Sequence, residues 1–202
     1  MIPKQVKLSV HNDGVTQCAG GILRLLQDQS IKNTLINQTI CYIGPGTGLG
    51  GGFCKLEGTG EMAFFSDGHI YDICLPHLLD KNKTVMAEDV ISGRGFYHLY
   101  GVTPKEVNES SELLQKLTPN IQQMGCYLGE LIIIIHKGQF TKKNKRDNWP
   151  QTDINQLNHV SHFLLGGSLC TKGEFGKVLV NSAQSHIQNN HNHQITCYVL
   201  ND

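Results

Sequence analysis

The chain has 202 residues, and its 17 lysines and arginines balance 17 aspartates and glutamates, so the formal net charge is zero. This length suffices for one substantial core, or for one large lobe with a subdomain. The neutral charge gives no sign of an acidic or nucleic-acid partner. The seven cysteines are odd in number and lack the spacing of a disulfide framework, and no signal peptide precedes Asn12. We therefore expect reduced thiols in a cytoplasmic protein.

The first helix is predicted at 14–27, where apolar residues such as Val15 and Ile22 recur at helical spacing. A short apolar run precedes it and ends in Asn12 and Asp13. Both residue types are good helix N-caps, so local sequence alone favours a capping role. A catalytic or ligand-binding role for these residues is compatible with helix capping.

The most informative segment is a glycine-rich turn at 44–52, between two runs of strand-forming residues at 39–43 and 52–56. It predicts a β-hairpin. Glycine tolerates positive φ and lets backbone N–H groups approach phosphate oxygens, and the Thr47 hydroxyl adds a donor. No Lys-Ser or Lys-Thr pair follows, and no strand-to-helix turn, so the segment is neither a P-loop nor a dinucleotide fingerprint. A glycine hairpin that binds nothing is the competing interpretation.

Two glutamates follow the hairpin. Glu61 comes directly after Gly60, and Glu88 opens the run Glu-Asp-Val-Ile-Ser-Gly-Arg-Gly, which leads into a predicted helix at 96–100. For either glutamate taken singly, a solvated surface position is the favoured interpretation.

Two helices are predicted in the middle of the chain. Thr103 is expected to cap the first, with Pro104 at its first position and Glu106 completing a capping box, and this helix should run to about Leu117. Pro119 then separates it from a long apolar helix at 121–136, which is favoured as a core helix over a strand. That helix is too short and too polar at its ends to span a membrane.

The last part of the chain combines a polar segment with two more strands. The segment 137–153 carries a basic run at 142–146 and is interpreted as a solvated loop rather than a nucleic-acid patch. A buried strand at 163–165 then leads through Gly166, Gly167 and Ser168 into a helix that ends near Ile187. A plain strand-to-helix turn is the alternative there. The final strand is predicted at 195–200.

Three histidines precede this last strand. His186, His191 and His193 lie in a stretch rich in asparagine and glutamine, and no cysteine or carboxylate joins them in a known ligand pattern. We interpret them as part of an exposed turn, and we predict no metal site.

Taken in order, these motifs resemble the bacterial glucokinases and the related ROK-type sugar kinases of the actin-like ATPase superfamily. The resemblance spans most of the chain and is strongest in the hairpin and in the motif at 88–93. It implies an α/β fold, an actin-like ATPase (ribonuclease H-like) domain with a mixed sheet flanked by helices. It also implies ATP-dependent phosphorylation of a hexose, with ATP and Mg²⁺ required and glucose as the family's usual substrate.

The resemblance also implies roles for single residues. Asp13 corresponds to the general base that accepts the proton of the attacking sugar hydroxyl, and Asn12 would bind the sugar beside it. Glu61 and Glu88 correspond to two carboxylates that bind sugar hydroxyls, since a charged acceptor strengthens such hydrogen bonds. The residues implied for ATP binding belong to the two glycine turns, Gly46, Thr47 and Gly48 in the first and Gly166, Gly167 and Ser168 in the second.

The chain departs from the family pattern at several places. A histidine is expected three residues after Glu61, where Phe64 stands, and His69 could replace it only in a remodelled loop. Cys74 is alone in its region, so the zinc-binding cysteine cluster of typical ROK proteins is absent. Nothing matches the phosphate hairpin that opens the family's first lobe, so we interpret residues 1–202 as the larger lobe alone, with the N-terminal lobe apparently missing.

Two other functions remain open. One is a sugar-binding or sugar-sensing module without catalysis, although no helix-turn-helix is evident. The other is a degenerate kinase-like protein that acts through interactions. The sequence does not identify the sugar. The resemblance further implies a homodimer, and no nucleic-acid or membrane partner is expected.

Overall fold

The computed structural model describes residues 13–65, 70–80, 82–138, 160–191 and 195–200. Among the residues singled out above, several lie outside these ranges, namely Asn12, His69, the basic run at 142–146 and His193.

Seven strands are present in the described residues, and five of them form one mixed sheet in the order β3-β2-β1-β6-β7. The remaining two, β4 and β5, pair as a separate antiparallel hairpin. The strands are β1 (Thr39–Pro45), β2 (Leu49–Leu56), β3 (Met62–Phe64), β4 (Cys74–Pro76), β5 (Thr84–Met86), β6 (His162–Leu165) and β7 (Thr196–Val199).

Eight helices surround the sheet in the same described ranges. They are α1 (Asp13–Leu25), α2 (Gln29–Leu35), α3 (Ala87–Ile91), α4 (Gly93–Tyr100), α5 (Pro104–Glu109), α6 (Ser111–Lys137), α7 (Gly167–Thr171) and α8 (Gly173–Asn190). None of these helices is long and apolar enough to cross a bilayer.

The direction of the strands determines where a ligand can bind. The predicted hairpin is confirmed, because β1 and β2 pair antiparallel with Pro45 opposite Leu49. The strands β1, β6 and β7 are parallel to one another. Their carboxyl ends therefore meet at one edge of the sheet, together with the hairpin turn, and such an edge is where ligands bind in open α/β sheets.

The sheet separates two apolar cores, because successive side chains of a strand point to opposite faces. Ile40 and Tyr42 pack on one face with residues of α1 and α2. Cys41 and Ile43 face the other side, where α6 and α8 pack against each other and form the larger core. The predicted mixed sheet flanked by helices is thus confirmed.

The cysteines contribute to both cores. All seven carry free thiols. Burial raises the pKa of the Cys41 thiol well above its ordinary value. A buried thiol of this kind is inert and serves as a small apolar side chain.

The predicted division of the middle helices is wrong. The capping box of Thr103 and Glu106 is confirmed, but α5 ends at Glu109 rather than near Leu117. The Ser110 side chain accepts a hydrogen bond from the Leu113 N–H at 3.2 Å and starts α6, which continues through Pro119. Burial of one face along the rest of α6 outweighs the hydrogen bond that the proline removes.

The C-terminal helix also differs from the expectation. It is divided into α7 and α8 at Lys172, and Gly173 follows with a left-handed φ of 66°. His186 lies inside α8, with its Nε2 atom 3.0 Å from the Glu130 Oε2 atom of α6. The assignment of His186 to an exposed turn is therefore wrong. The strand predicted at 195–200 is confirmed as β7.

Candidate active site

A cleft of about 720 Å³ opens at the edge of the sheet where β1 and β6 end. This volume is typical of small-molecule sites. Five of the lining residues are glycines from the β1–β2 hairpin, and Tyr71 and four polar or charged side chains come from other parts of the fold. These four are Asp13 and Gln17 of α1, Glu88 of α3 and Arg94 of α4.

The hairpin turn is fixed by backbone hydrogen bonds. The Gly46 N–H donates to the Gly48 carbonyl at 2.8 Å. Two amides at the start of α4 hold the turn from outside, since Gly93 donates to the Gly46 carbonyl at 2.8 Å and Arg94 to the Thr47 carbonyl at 3.0 Å. Thr47 itself is exposed. The turn is therefore held in place while its threonine side chain faces outward.

The second glycine turn, between β6 and α7, lies directly against the first. The Gly166 N–H donates to the Ile43 carbonyl at 3.0 Å. Gly167 has a φ of 71°, and a Cβ there would lie 2.4 Å from the Pro45 carbonyl oxygen, so only glycine fits. The Ser168 Oγ atom is 3.9 Å from the position of a Cβ on Gly46. The structure thus brings together the two turns in which ATP-binding residues were expected.

Asp13 is the first residue of α1, and the start of this helix lies against β2. A Cβ on Gly14 would lie within 1.9 Å of the Gly51 carbonyl oxygen, so only glycine permits this approach. The Asp13 Oδ1 atom accepts the Gly14 N–H at 2.9 Å. Asp13 therefore lies within the first turn of α1. Asp13 is exposed and lines the cleft.

Glu88 enters the cleft from α3. Its N–H donates to the Tyr71 carbonyl at 3.0 Å, which anchors the helix start. Its Oε1 atom would lie 2.8 Å from a Cβ on Gly48, so the carboxylate touches the hairpin turn. The same Oε1 atom is 3.8 Å from the Arg94 Nη2 atom. The structure therefore places Asp13 and Glu88 in one cleft.

Glu61 does not join them. It is an exposed residue of the turn between β2 and β3, next to the pair Leu56 and Met62. The cleft lies toward the opposite end of β2, where its nearest lining residue, Gly51, is five residues from Leu56, or about 17 Å in an extended strand. Phe64 is 41% exposed and pairs with Cys54 on the outer strand β3. Neither residue lines the cleft.

Two further cleft residues have clear structural roles that the sequence motifs did not predict. Tyr42 packs beneath both glycine turns, since a Cβ on Gly44 or on Gly166 would collide with its ring. Burial is the main cause that raises the pKa of Tyr42 to about 12, so its hydroxyl stays protonated. Arg94 follows Glu88 in the same motif. Its positive charge in an otherwise uncharged turn is the sequence feature that could have indicated a place in the site.

The donor set of the cleft is consistent with magnesium carried by a nucleotide. No group of three or more histidine, cysteine, aspartate or glutamate side chains in the described ranges could hold a metal ion. The cleft does offer two carboxylates, those of Asp13 and Glu88. Mg²⁺ is commonly bound by one or two carboxylates together with substrate phosphates.

The mixed sheet with helices on both faces, and the two glycine turns at its edge, define an actin-like ATPase domain. A family model described as Glucokinase matches residues 6–126, which is more than half of the chain. The chain therefore belongs to the glucokinase family. No curated protein matches it.

Solved structures of ROK-family proteins share this fold. A ROK family glucokinase from Streptomyces griseus, solved with glucose and AMPPNP, has a TM-score of 0.57 at 14% identity, covering 96% of this chain and 63% of that one. A glucokinase from Parabacteroides distasonis has a TM-score of 0.54 at 17% identity, covering 92% and 51%. A ROK family protein from Streptococcus pneumoniae, solved with sucrose, has a TM-score of 0.51 at 13% identity, covering 89% and 57%. The chain thus spans between 51% and 63% of the length of these structures.

Proposed function

We propose that this chain carries the sugar site and the general base of an ATP-dependent hexose kinase, with glucose as the substrate. The observation that supports this most is the placement of Asp13 and Glu88. They are distant in sequence, yet both line one cleft beside the glycine hairpin. The family membership of residues 6–126 supports the same class of reaction.

Asp13 acts as the general base in this proposal. A sugar hydroxyl oxygen attacks the γ-phosphorus of ATP and forms the new P–O bond, while the bond to the bridging oxygen breaks and ADP leaves. The hydroxyl proton passes to the Asp13 carboxylate. The carboxylate is exposed and lines the cleft, and its main task is to orient the hydroxyl.

Glu88 binds the sugar. Its carboxylate lies next to Gly48 and accepts hydrogen bonds from sugar hydroxyls, which a charged acceptor makes stronger. Asn12 is proposed as a second sugar ligand. Glu61 is left out of the proposed site, because it lies on the turn at the far end of β2.

The two glycine turns bind the nucleotide. The turn of Gly46, Thr47 and Gly48 binds the phosphates through the Thr47 and Gly48 amides and the Thr47 hydroxyl, while Gly166, Gly167 and Ser168 lie against the rest of the nucleotide. Mg²⁺ bound to the phosphates supplies positive charge that offsets the charge of the transferred group. Asp13 and Glu88 are the carboxylates of the cleft that could contact it.

The test is phosphorylation of a hexose panel by the 202-residue chain with ATP and Mg²⁺, comparing the wild type with Asp13→Asn. Loss of the general base should lower kcat by about 10²- to 10⁴-fold. Asp89→Asn is the matched control, because Asp89 is an exposed residue of α3 that does not line the cleft. Equal turnover in the wild type and Asp13→Asn would reject Asp13 as the base. Glucose binding without turnover in the wild type would favour a sugar-binding module instead.

A further inference from the structure

Arg94 is the one cationic side chain among the described residues that line the cleft. Asp13 and Glu88 place two carboxylates in the same lining. A nucleoside triphosphate carries several negative charges, so these carboxylates oppose its entry unless a cation compensates. Arg94 is therefore the protein group of this lining that can attract a phosphate.

The backbone of Arg94 is fixed relative to the hairpin turn. Its N–H donates to the Thr47 carbonyl at 3.0 Å, and the preceding Gly93 N–H donates to the Gly46 carbonyl at 2.8 Å. The position from which the side chain extends is thus fixed by the turn that is proposed to hold the phosphates.

The guanidinium group lies beside both the proposed phosphate turn and the proposed sugar ligand. Its Nη2 atom is 3.8 Å from the position of a Cβ on Gly48, and 3.8 Å from the Glu88 Oε1 atom. Gly48 belongs to the hairpin turn, and Glu88 is the proposed sugar ligand. A phosphoryl group that passes from ATP to a sugar hydroxyl must cross this same region.

The ion pair with Glu88 leaves the Arg94 guanidinium able to bind another group. A well-formed charged hydrogen bond has an N···O distance of about 2.7–2.9 Å. Here the distance is 3.8 Å, and the Arg94 side chain is 62% exposed. Exposed ion pairs of this kind contribute little to stability, so Arg94 can exchange Glu88 for another partner at little cost.

We propose that Arg94 binds the γ-phosphoryl group of ATP during transfer, and that it leaves Glu88 free for the sugar hydroxyls as it does so. This inference rests on the proposed kinase function. The guanidinium stays protonated throughout and forms no covalent bond. Its planar set of N–H donors matches the oxygens of a phosphoryl group, whose charge it offsets.

The experiment is isothermal titration of the wild-type chain and Arg94→Gln with AMP-PNP, ADP and glucose, each in the presence of Mg²⁺. AMP-PNP contains a γ-phosphoryl group and ADP does not. We expect Arg94→Gln to weaken AMP-PNP binding by about ten- to a hundredfold, which corresponds to the loss of a charged hydrogen-bonded contact. Binding of ADP and glucose should stay unchanged.

Two further variants make the comparison specific. Lys105→Gln removes one positive charge from an exposed ion pair on α5, outside the cleft, and should change none of the three affinities. Arg94→Lys keeps the charge but loses the planar donor set, so its affinity for AMP-PNP should fall between those of the wild type and Arg94→Gln. Thermal melting of each variant confirms that it is folded.

Three results would overturn the inference. An equal loss of affinity for AMP-PNP and ADP would mean that Arg94 attracts nucleotides by its charge alone and does not contact the γ-phosphoryl group. A loss confined to glucose would show that Arg94 only positions Glu88. If the wild type bound neither nucleotide, the proposed kinase function itself would fail, and the inference with it.

Discussion

Asp13 and Glu88 reach the cleft because each lies at the start of a helix that is fixed to the hairpin region. The start of α1 lies against β2 through Gly14 and Gly51. The start of α3 is held by the hydrogen bond from the Glu88 N–H to the Tyr71 carbonyl. Backbone contacts of this kind position the carboxylates without burying them, so both remain available to a ligand.

Glu88→Gln should weaken glucose binding by about tenfold or more, since hydrogen bonds to a charged carboxylate are stronger than those to a neutral amide. Glu61→Gln is the matched control and should leave glucose affinity unchanged, because Glu61 lies at the opposite end of β2. Isothermal titration of the two variants against the wild type measures both effects. A loss in Glu61→Gln that equals or exceeds that in Glu88→Gln would contradict this account of the sugar site.

The different positions of these two glutamates show what a motif can predict. Glu88 stands in the motif that leads into α4, whose Ser92 cap is a local interaction. Its own place in the first turn of α3 depends on the long-range hydrogen bond to the Tyr71 carbonyl. The position of Glu61 depends on the register of β2 and β3, in which Cys54 pairs with Phe64. That register is a long-range property that residue spacing alone does not determine. The contact between Glu88 and Arg94 likewise depends on how α3 and α4 pack.

The helices show a similar division between local and long-range causes. The capping box of α5 could be predicted from Thr103, Pro104 and Glu106, because all of its interactions are local. The boundary between α5 and α6 could not. Pro119 predicts a break between two helices, whereas burial along α6 from Leu117 to His136 keeps the helix continuous.

Ser110 is therefore expected to matter more for stability than a neighbouring serine. Ser110→Ala removes the side-chain acceptor of the Leu113 N–H and should lower the free energy of unfolding by about 1 kcal/mol. Ser111→Ala changes an exposed position at the first turn of α6 and is the control. Urea unfolding at equilibrium measures both. Equal stability of the two variants would mean that the Ser110 cap does not set this boundary.

At the scale of the whole molecule, the strand arrangement indicates where the site lies better than it indicates which residues bind the substrates. Parallel strands beside a glycine hairpin place the cleft at their carboxyl edge. The dimer and the cytoplasmic location that the resemblance implies remain predictions. The chain also spans only part of the length of the solved structures that share its fold.

Hydrogen–deuterium exchange with and without glucose tests most directly whether this cleft binds a sugar. Bound sugar should slow exchange of the backbone amides at the start of α1, in the hairpin turn and around Glu88. These three segments line the cleft. Protection confined to the turn that holds Glu61 would contradict the account, and so would no change anywhere at saturating glucose.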